Sequence, residues 1–252
     1  MGFFDLFKGG NKSNKGGEGP SKAARDAARF AERAGDKRAQ TYDRQEAIQA
    51  LADMGTPEAA AALLKRFTFV IDPSITDQDE KEVAFNGVLK AGPEAIPAVR
   101  HFAATAESLA WPMKVVKALV EEDAYVEELL LWLSKWDTEY AKFVDPKVQL
   151  LVMLEEHKHE KIREAVKPFL LDVHEPARYH AVTTTFAQDD VVALPDILET
   201  LGDEESFRIR NKIADCLIEK AWAIPEDKRA ETRKSLPSGY TIDGEGFVRK
   251  RE

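Results

Sequence analysis

A single cysteine, Cys216, stands in a chain of 252 residues. No internal disulfide can form, and nothing ties the protein to an oxidising compartment. No run approaches the roughly 20 consecutive apolar residues that a membrane-spanning helix needs. The basic-then-apolar layout of a secretory signal is also missing, because only Met1–Phe7 precede a glycine-rich stretch. The expected location is therefore the cytoplasm, with peripheral attachment at a membrane as its one variation. Positive charge is scarce as well. The net charge is −9, and residues 46–252 carry 26 Lys/Arg against 39 Asp/Glu, a balance of −13. Nucleic-acid affinity comes largely from neutralised phosphates, so this body is not expected to bind nucleic acid. Residues 1–45 run the other way, with ten Lys/Arg against six Asp/Glu.

Chemistry-bearing motifs are equally sparse. Of the five histidines, His157 and His159 are two residues apart, whereas a helical metal site wants ligands three or four apart. His174 and His180 have no cysteine nearby, and His101 stands alone. Cys216 lies in Ile213-Ala-Asp-Cys-Leu-Ile, the apolar face of a helix, where a thiol is inert. The acidic stretch Asp72–Glu82 lacks the turn glycine and ligand spacing of a calcium loop, and reads as a solvated loop whose acids cap the next helix. No residue qualifies as catalytic, cofactor-binding or metal-ligating, and no cofactor is expected.

What is present begins with an apolar plug. Residues 1–8, MGFFDLFK, bring Phe3, Phe4, Leu6 and Phe7 together, and Gly9–Pro20 follow with five glycines. That composition predicts a flexible tail over 1–20. Three aromatics left in water are unfavourable, so the plug is expected to dock on a partner, on the chain itself, or weakly on a membrane interface through residues 1–8. Gly2 suits N-myristoylation, but Leu6 stands where that motif wants Ser or Thr. Ser21 is a favoured N-cap, and an alanine-rich helix is predicted from Lys22 to Ala34 within a capping segment, 21–42. Its thin stripe of Ala24, Ala27, Ala28, Ala31 and Phe30 predicts loose packing on the first repeat.

From 43 to 236 one unit recurs about every 30–40 residues, a helix-length apolar pattern, a break, and a second such pattern. The pairs are 43–55 with 56–71, 80–92 with 93–106, 110–122 with 124–136, 145–157 with 160–173, 175–188 with 189–202, and 205–222 with 225–236. Met54-Gly-Thr-Pro-Glu-Ala and Ala91-Gly-Pro-Glu-Ala form matching junctions in the first two units. In the first, Gly55 suits a helix C-terminus and Thr56-Pro57 a helix start. The last second helix is polar, as a solvent-facing end should be. Residues 237–252 change character, and Tyr240-Thr-Ile, Asp243-Gly-Glu-Gly and Phe247-Val-Arg predict a small hairpin or extended cap.

Two strings are distinctive: Ala95-Ile96-Pro97-Ala98-Val99 and Ala193-Leu194-Pro195-Asp196-Ile197-Leu198. Glu175-Pro176-Ala177-Arg178 with Ala181 and Val182, and Phe207-Arg208-Ile209-Arg210 with Ile213 and Ala214, open first helices. In these features the chain resembles HEAT repeats, in particular the bacterial variety related to phycobilin-lyase subunits. The resemblance covers about three quarters of the chain. It implies an all-α, armadillo-like fold, a right-handed α–α superhelix of about six helical hairpins whose second helices line a concave surface. It further implies a non-catalytic scaffold or adaptor that binds a protein partner. The alternatives are a chromophore (bilin) lyase or isomerase subunit, and a nucleic-acid-binding HEAT-like protein, which the acidic body disfavours. Trp132 and Trp136 are four apart and share one side of their helix. They serve either as core between units or as a patch for the partner.

Overall fold

The structure, a computed structural model, describes residues 21–251. The plug residues Phe3, Phe4, Leu6 and Phe7 lie outside the described residues. Thirteen α-helices and one two-stranded sheet succeed one another in the described chain. They are α1 (Lys22–Ala34), α2 (Thr41–Met54), α3 (Pro57–Leu63), α4 (Ser74–Lys90), α5 (Ile96–Ala103), α6 (Ala110–Leu119) and α7 (Glu122–Leu133). Then come α8 (Asp145–Leu154), α9 (Ile162–Val166), α10 (Glu175–Ala187), α11 (Leu194–Asp203), α12 (Phe207–Lys220) and α13 (Glu226–Ser235). Strands β1 (Tyr240–Ile242) and β2 (Val248–Lys250) close the chain as an antiparallel pair with Ile242 opposite Val248. The fold is all-α apart from this hairpin, and no helix of the described residues is long and apolar enough to cross a membrane.

Local signals set the helix ends. The Ser21 hydroxyl accepts the Ala24 N–H at 3.1 Å and opens α1. Gly55 ends α2 with φ 58°, a left-handed conformation that glycine adopts without steric cost. Thr56 then caps α3, with Pro57 in its first turn, where a missing N–H is harmless. The prolines of the two distinctive strings do the same. Pro97 and Pro195 sit in the first turns of α5 and α11, each preceded by a short 3₁₀ turn, Gly92–Ala95 and Val191–Ala193. They divide a second helix into a tight lead-in and an α-helical body rather than interrupting its middle.

The packing is serial. Helix α2 packs on α4, α4 on α6, α8 on α10 and α10 on α12, while α3 packs on α5 and α11 on α13. One apolar core runs through the described chain, from Ala27 and Ile48 through Val99, Leu129 and Leu151 to Ile213 and Val248.

Two expectations need correction. Helix α1 is not loosely held. It packs on both α2 and α3, with Ala27 and Ala34 buried, because a stripe of alanines lets backbones approach closely. The segment 72–79 is not a solvated loop either. Helix α4 already starts at Ser74, and Asp77 and Glu80 are buried at 7% and 2% exposure. Their charges are met from inside: Glu80 accepts from Arg44 at 2.8 Å and Arg66 at 2.7 Å, and Asp77 from Arg66 at 2.8 Å and Lys81 at 2.7 Å. In sequence these acids look like surface groups because their arginine partners lie 36, 14 and 11 residues away.

Candidate functional site

Helix α7 is apolar on a wide face, with Tyr125, Val126, Leu129, Leu130, Trp132 and Leu133 buried. A stripe this broad fits a helix covered from two sides. Where it ends, a cleft of about 530 Å³ opens between the C-terminal ends of α5 and α7. Its apolar lining is Ala103, Ala104, Leu109, Leu131, Trp132 and Trp136, and its cations are Arg100 and Lys135. That volume is typical of ligand clefts, which combine apolar walls with a few polar groups.

Each wall has a cause in the sequence. Ala103 and Ala104 close α5 with side chains of one carbon, which leaves the space that the indoles border. The Leu109 N–H donates to Gln149 Oε1 at 2.6 Å, which fixes the start of α6 against α8. Arg100 pairs with Glu128 and so ties α5 to α7. Hydrogen bonding to that carboxylate holds the Arg100 guanidinium above its ordinary pKa, so it stays charged. Lys135 is exposed and forms no ion pair among the described residues. Leu131 is 37% exposed, Trp136 is half-buried, and Trp132 is 5% exposed with an indole N–H that is enclosed without a hydrogen-bond partner. Trp132 is therefore mostly core, and Trp136 forms part of the cleft wall.

The structure brings Trp132 and Trp136 together with groups that pattern reading missed. Arg100 belongs to the preceding hairpin, 28 residues from its partner Glu128. No local signal in the sequence joins residues that far apart. Lys135 is adjacent to Trp136 and carried no mark in sequence beyond its charge.

Other cavities have different chemistry. A groove of about 450 Å³ between α11 and α13 presents Glu199, Asp203, Asp227 and Glu231 with Lys228, beside Leu194, Pro195 and Leu198. A cavity of about 550 Å³ at the start of α1 mixes Lys22, Asp26 and Arg29 with Phe30 and Met54. Only the α5–α7 cleft, among these, joins two indoles to two cations.

Several titratable side chains are engaged in structure. His157 is buried, its Nδ1 2.6 Å from Glu122 Oε1, and its ring meets Tyr125 edge-on at 5.5 Å. Tyr125 is pushed up to about 12, first by burial and then by the nearby Glu156 and Glu122 carboxylates. Its hydroxyl and His157 Nε2 are both enclosed without partners. His180 lies 2.7 Å from Glu155, and His174 Nε2 accepts the Ala141 N–H at 3.1 Å. Burial raises the Cys216 thiol above its ordinary pKa, which keeps it protonated and unreactive. Among the described residues no three His, Cys, Asp or Glu side chains are grouped to hold a metal ion. Comparison with protein-family models and with curated proteins finds no match for this chain, so the cleft must be read from its own geometry.

Proposed function

We propose that this protein is a non-catalytic scaffold of HEAT type, a right-handed stack of helical hairpins, that binds a protein partner at the α5–α7 cleft. The serial packing of α2, α4 and α6, and of α8, α10 and α12, supports the stacked reading. The observation that carries the binding role is the pairing of Trp132 and Trp136 with Arg100 and Lys135 in one cleft. Tryptophan and arginine are the residues most enriched where binding energy concentrates. With Arg100 matched by Glu128, Lys135 is the cleft's spare positive charge, set in a stretch, 46–252, of net charge −13. The matching ligand is a short peptide with bulky apolar side chains beside a carboxylate.

A displayed peptide library selected on the full chain tests this. Enriched peptides should carry an acid flanked by aromatic or leucine residues, and they should lose at least tenfold in affinity against Lys135→Glu. Peptides that bind Lys135→Glu and Leu131→Asp as well as the parent would remove the cleft from the account.

A further inference from the structure

We infer that the α5–α7 cleft is the seat of the chain's own residues Phe3–Phe7, taken up in cis. This rests on the reading of the cleft as a peptide site and names its resident. The chemistry is complementary side by side. The segment Phe3-Phe4-Asp5-Leu6-Phe7 offers four bulky apolar side chains around one carboxylate. The cleft offers Leu131, Trp132 and Trp136 beside Lys135, a cation with no ion pair among the described residues. Arg100 is already matched by Glu128, so the cleft has one cation to spare and the segment has one acid to give it.

The distances allow it. Helix α1 starts beside the α2–α3 junction, since Lys22 and Thr56 line one cavity there. Helices α3 and α5 are in contact, and the cleft lies one helix further on. With packed helices about 8–10 Å apart and helices about 15–20 Å long, the path from Ser21 to the cleft is roughly 30 Å. The twelve residues Gly9–Pro20 span at most about 40 Å. A linker of this length gives an effective concentration on the order of 1 mM, enough to fill a weak site without any gain in intrinsic affinity. The consequence is competition: an outside ligand must displace Phe3–Phe7 to enter.

The test uses the full chain throughout. Phe4→Cys is combined with Ala104→Cys in a Cys216→Ala background and oxidised mildly at low micromolar concentration. A monomeric, intramolecular disulfide is expected to form at least tenfold faster than with a control cysteine placed in the α11–α13 groove, at Glu199. In parallel, a peptide chosen from the library is titrated into the parent and into a Phe3→Ser/Phe4→Ser/Phe7→Ser variant. The variant should bind it roughly tenfold more tightly, because the internal competitor is gone. Equal crosslinking to both positions, or equal peptide affinity for parent and variant, overturns the proposal. So does a disulfide that joins two chains, which would place the segment in a second copy. Flotation with anionic vesicles that depends on Phe3, Phe4 and Phe7 but leaves peptide affinity unchanged overturns it in favour of a lipid surface. Library peptides that bind the variant at the cleft keep the peptide-site reading even where self-docking fails, and absence of any cleft binding ends both.

Discussion

The two halves of this helical chain handle buried charge in opposite ways. Near the N-terminus, one carboxylate serves as a hub: Glu80 on α4 takes a two-pronged contact from Arg44 on α2, at 2.8 and 3.0 Å, and a third bond from Arg66 after α3. Asp77 extends the cluster to Lys81 and to the Ile71 N–H. Toward the C-terminus, the same need is met by a ladder. Lys147 on α8 reaches Asp172 at 2.5 Å, Arg178 on α10 reaches Glu204 at 2.8 Å, and Arg210 on α12 reaches the Ser235 carbonyl at 2.9 Å. Each cation sits in the first turn of a first helix, and each acceptor follows or closes the second helix, 25 or 26 residues on. The ladder clamps one hairpin at a time, whereas the hub binds three elements of two hairpins to a single atom pair. Shared acceptors concentrate the consequence of losing one; paired acceptors spread it.

The largest expected effect breaks the hub. Glu80→Gln leaves two guanidiniums, Arg44 at 2% and Arg66 at 0% exposure, without their common carboxylate. Removing one partner of a buried pair costs about 3–5 kcal/mol, and because Arg44 loses its only carboxylate while Arg66 keeps just Asp77, this variant falls at the upper end. In the ladder, Asp172→Asn strands only Lys147 and should cost about 3 kcal/mol. Replacing both, as Lys147→Met with Asp172→Leu, should return stability to within about 1 kcal/mol of the parent, because no charge is then left buried. Urea unfolding of the three chains measures this order. Equal losses for Glu80→Gln and Asp172→Asn would erase the distinction between hub and ladder.

A smaller contrast lies in two helical glycines. Gly87 on α4 faces Ala52 and Leu63, and an added Cβ would sit 2.6 Å from a carbon of each. Gly87→Ala should therefore destabilise by about 1–3 kcal/mol through overpacking. Gly202 on α11 has nothing within 4 Å of the same position. Gly202→Ala should stabilise by roughly 0.5–1 kcal/mol, the ordinary helix preference. Melting of both variants tests whether the N-terminal units are the more tightly interlocked.

Acid acts on both clusters. Burial alone would raise the Asp77 carboxyl, but Lys81, Arg66 and the Ile71 N–H outweigh it and hold it below the usual range. Glu204 is likewise raised by burial and lowered more by Arg178 and the Ser206 N–H. A carboxylate whose folded pKa is depressed adds stability that is complete above its unfolded value, about 3.9 for Asp and 4.3 for Glu, and that disappears as pH falls through the folded value. Stability should therefore drop below about pH 4.5, and the slope should flatten in both Asp77→Asn and Glu204→Gln. An unchanged slope in either variant would mean that its carboxylate is not held low.

The same contrast explains what could be read in advance. The ladder repeats with the hairpin, and Glu175-Pro176-Ala177-Arg178 and Phe207-Arg208-Ile209-Arg210 already displayed its cations in sequence. The α1 span, the Gly55 terminus, the Thr56 cap and the closing hairpin were legible because each depends on residues close to one another in the chain. The hub was not legible. Its spacings share no period, and Asp77 and Glu80 look like any helix-face acids until Arg44 and Arg66 arrive from elsewhere in the fold. The cleft fell between these cases. The Trp132–Trp136 spacing marked one wall, but Arg100 and Leu109 come from outside α7 and reach it only through tertiary packing.

The smallest expected effect on stability concerns a third lysine environment. Lys147 is sealed, with 0% side-chain exposure on both sides of its ion pair. Lys135, at the cleft, is exposed and forms no ion pair among the described residues. A charge that makes no contact contributes little to folding, so Lys135→Glu should leave the unfolding free energy in urea within about 0.5 kcal/mol of the parent. Its work is in recognition. Reversing it sets a carboxylate against the acid of an incoming peptide, and the like charges slow the encounter as well as weaken the complex. Affinity should fall at least tenfold, and the remaining binding should recover partly at high salt, where the repulsion is screened. A variant that loses stability in proportion to binding would show that Lys135 supports the fold as Lys147 does, and that the cleft is a packing defect rather than a site.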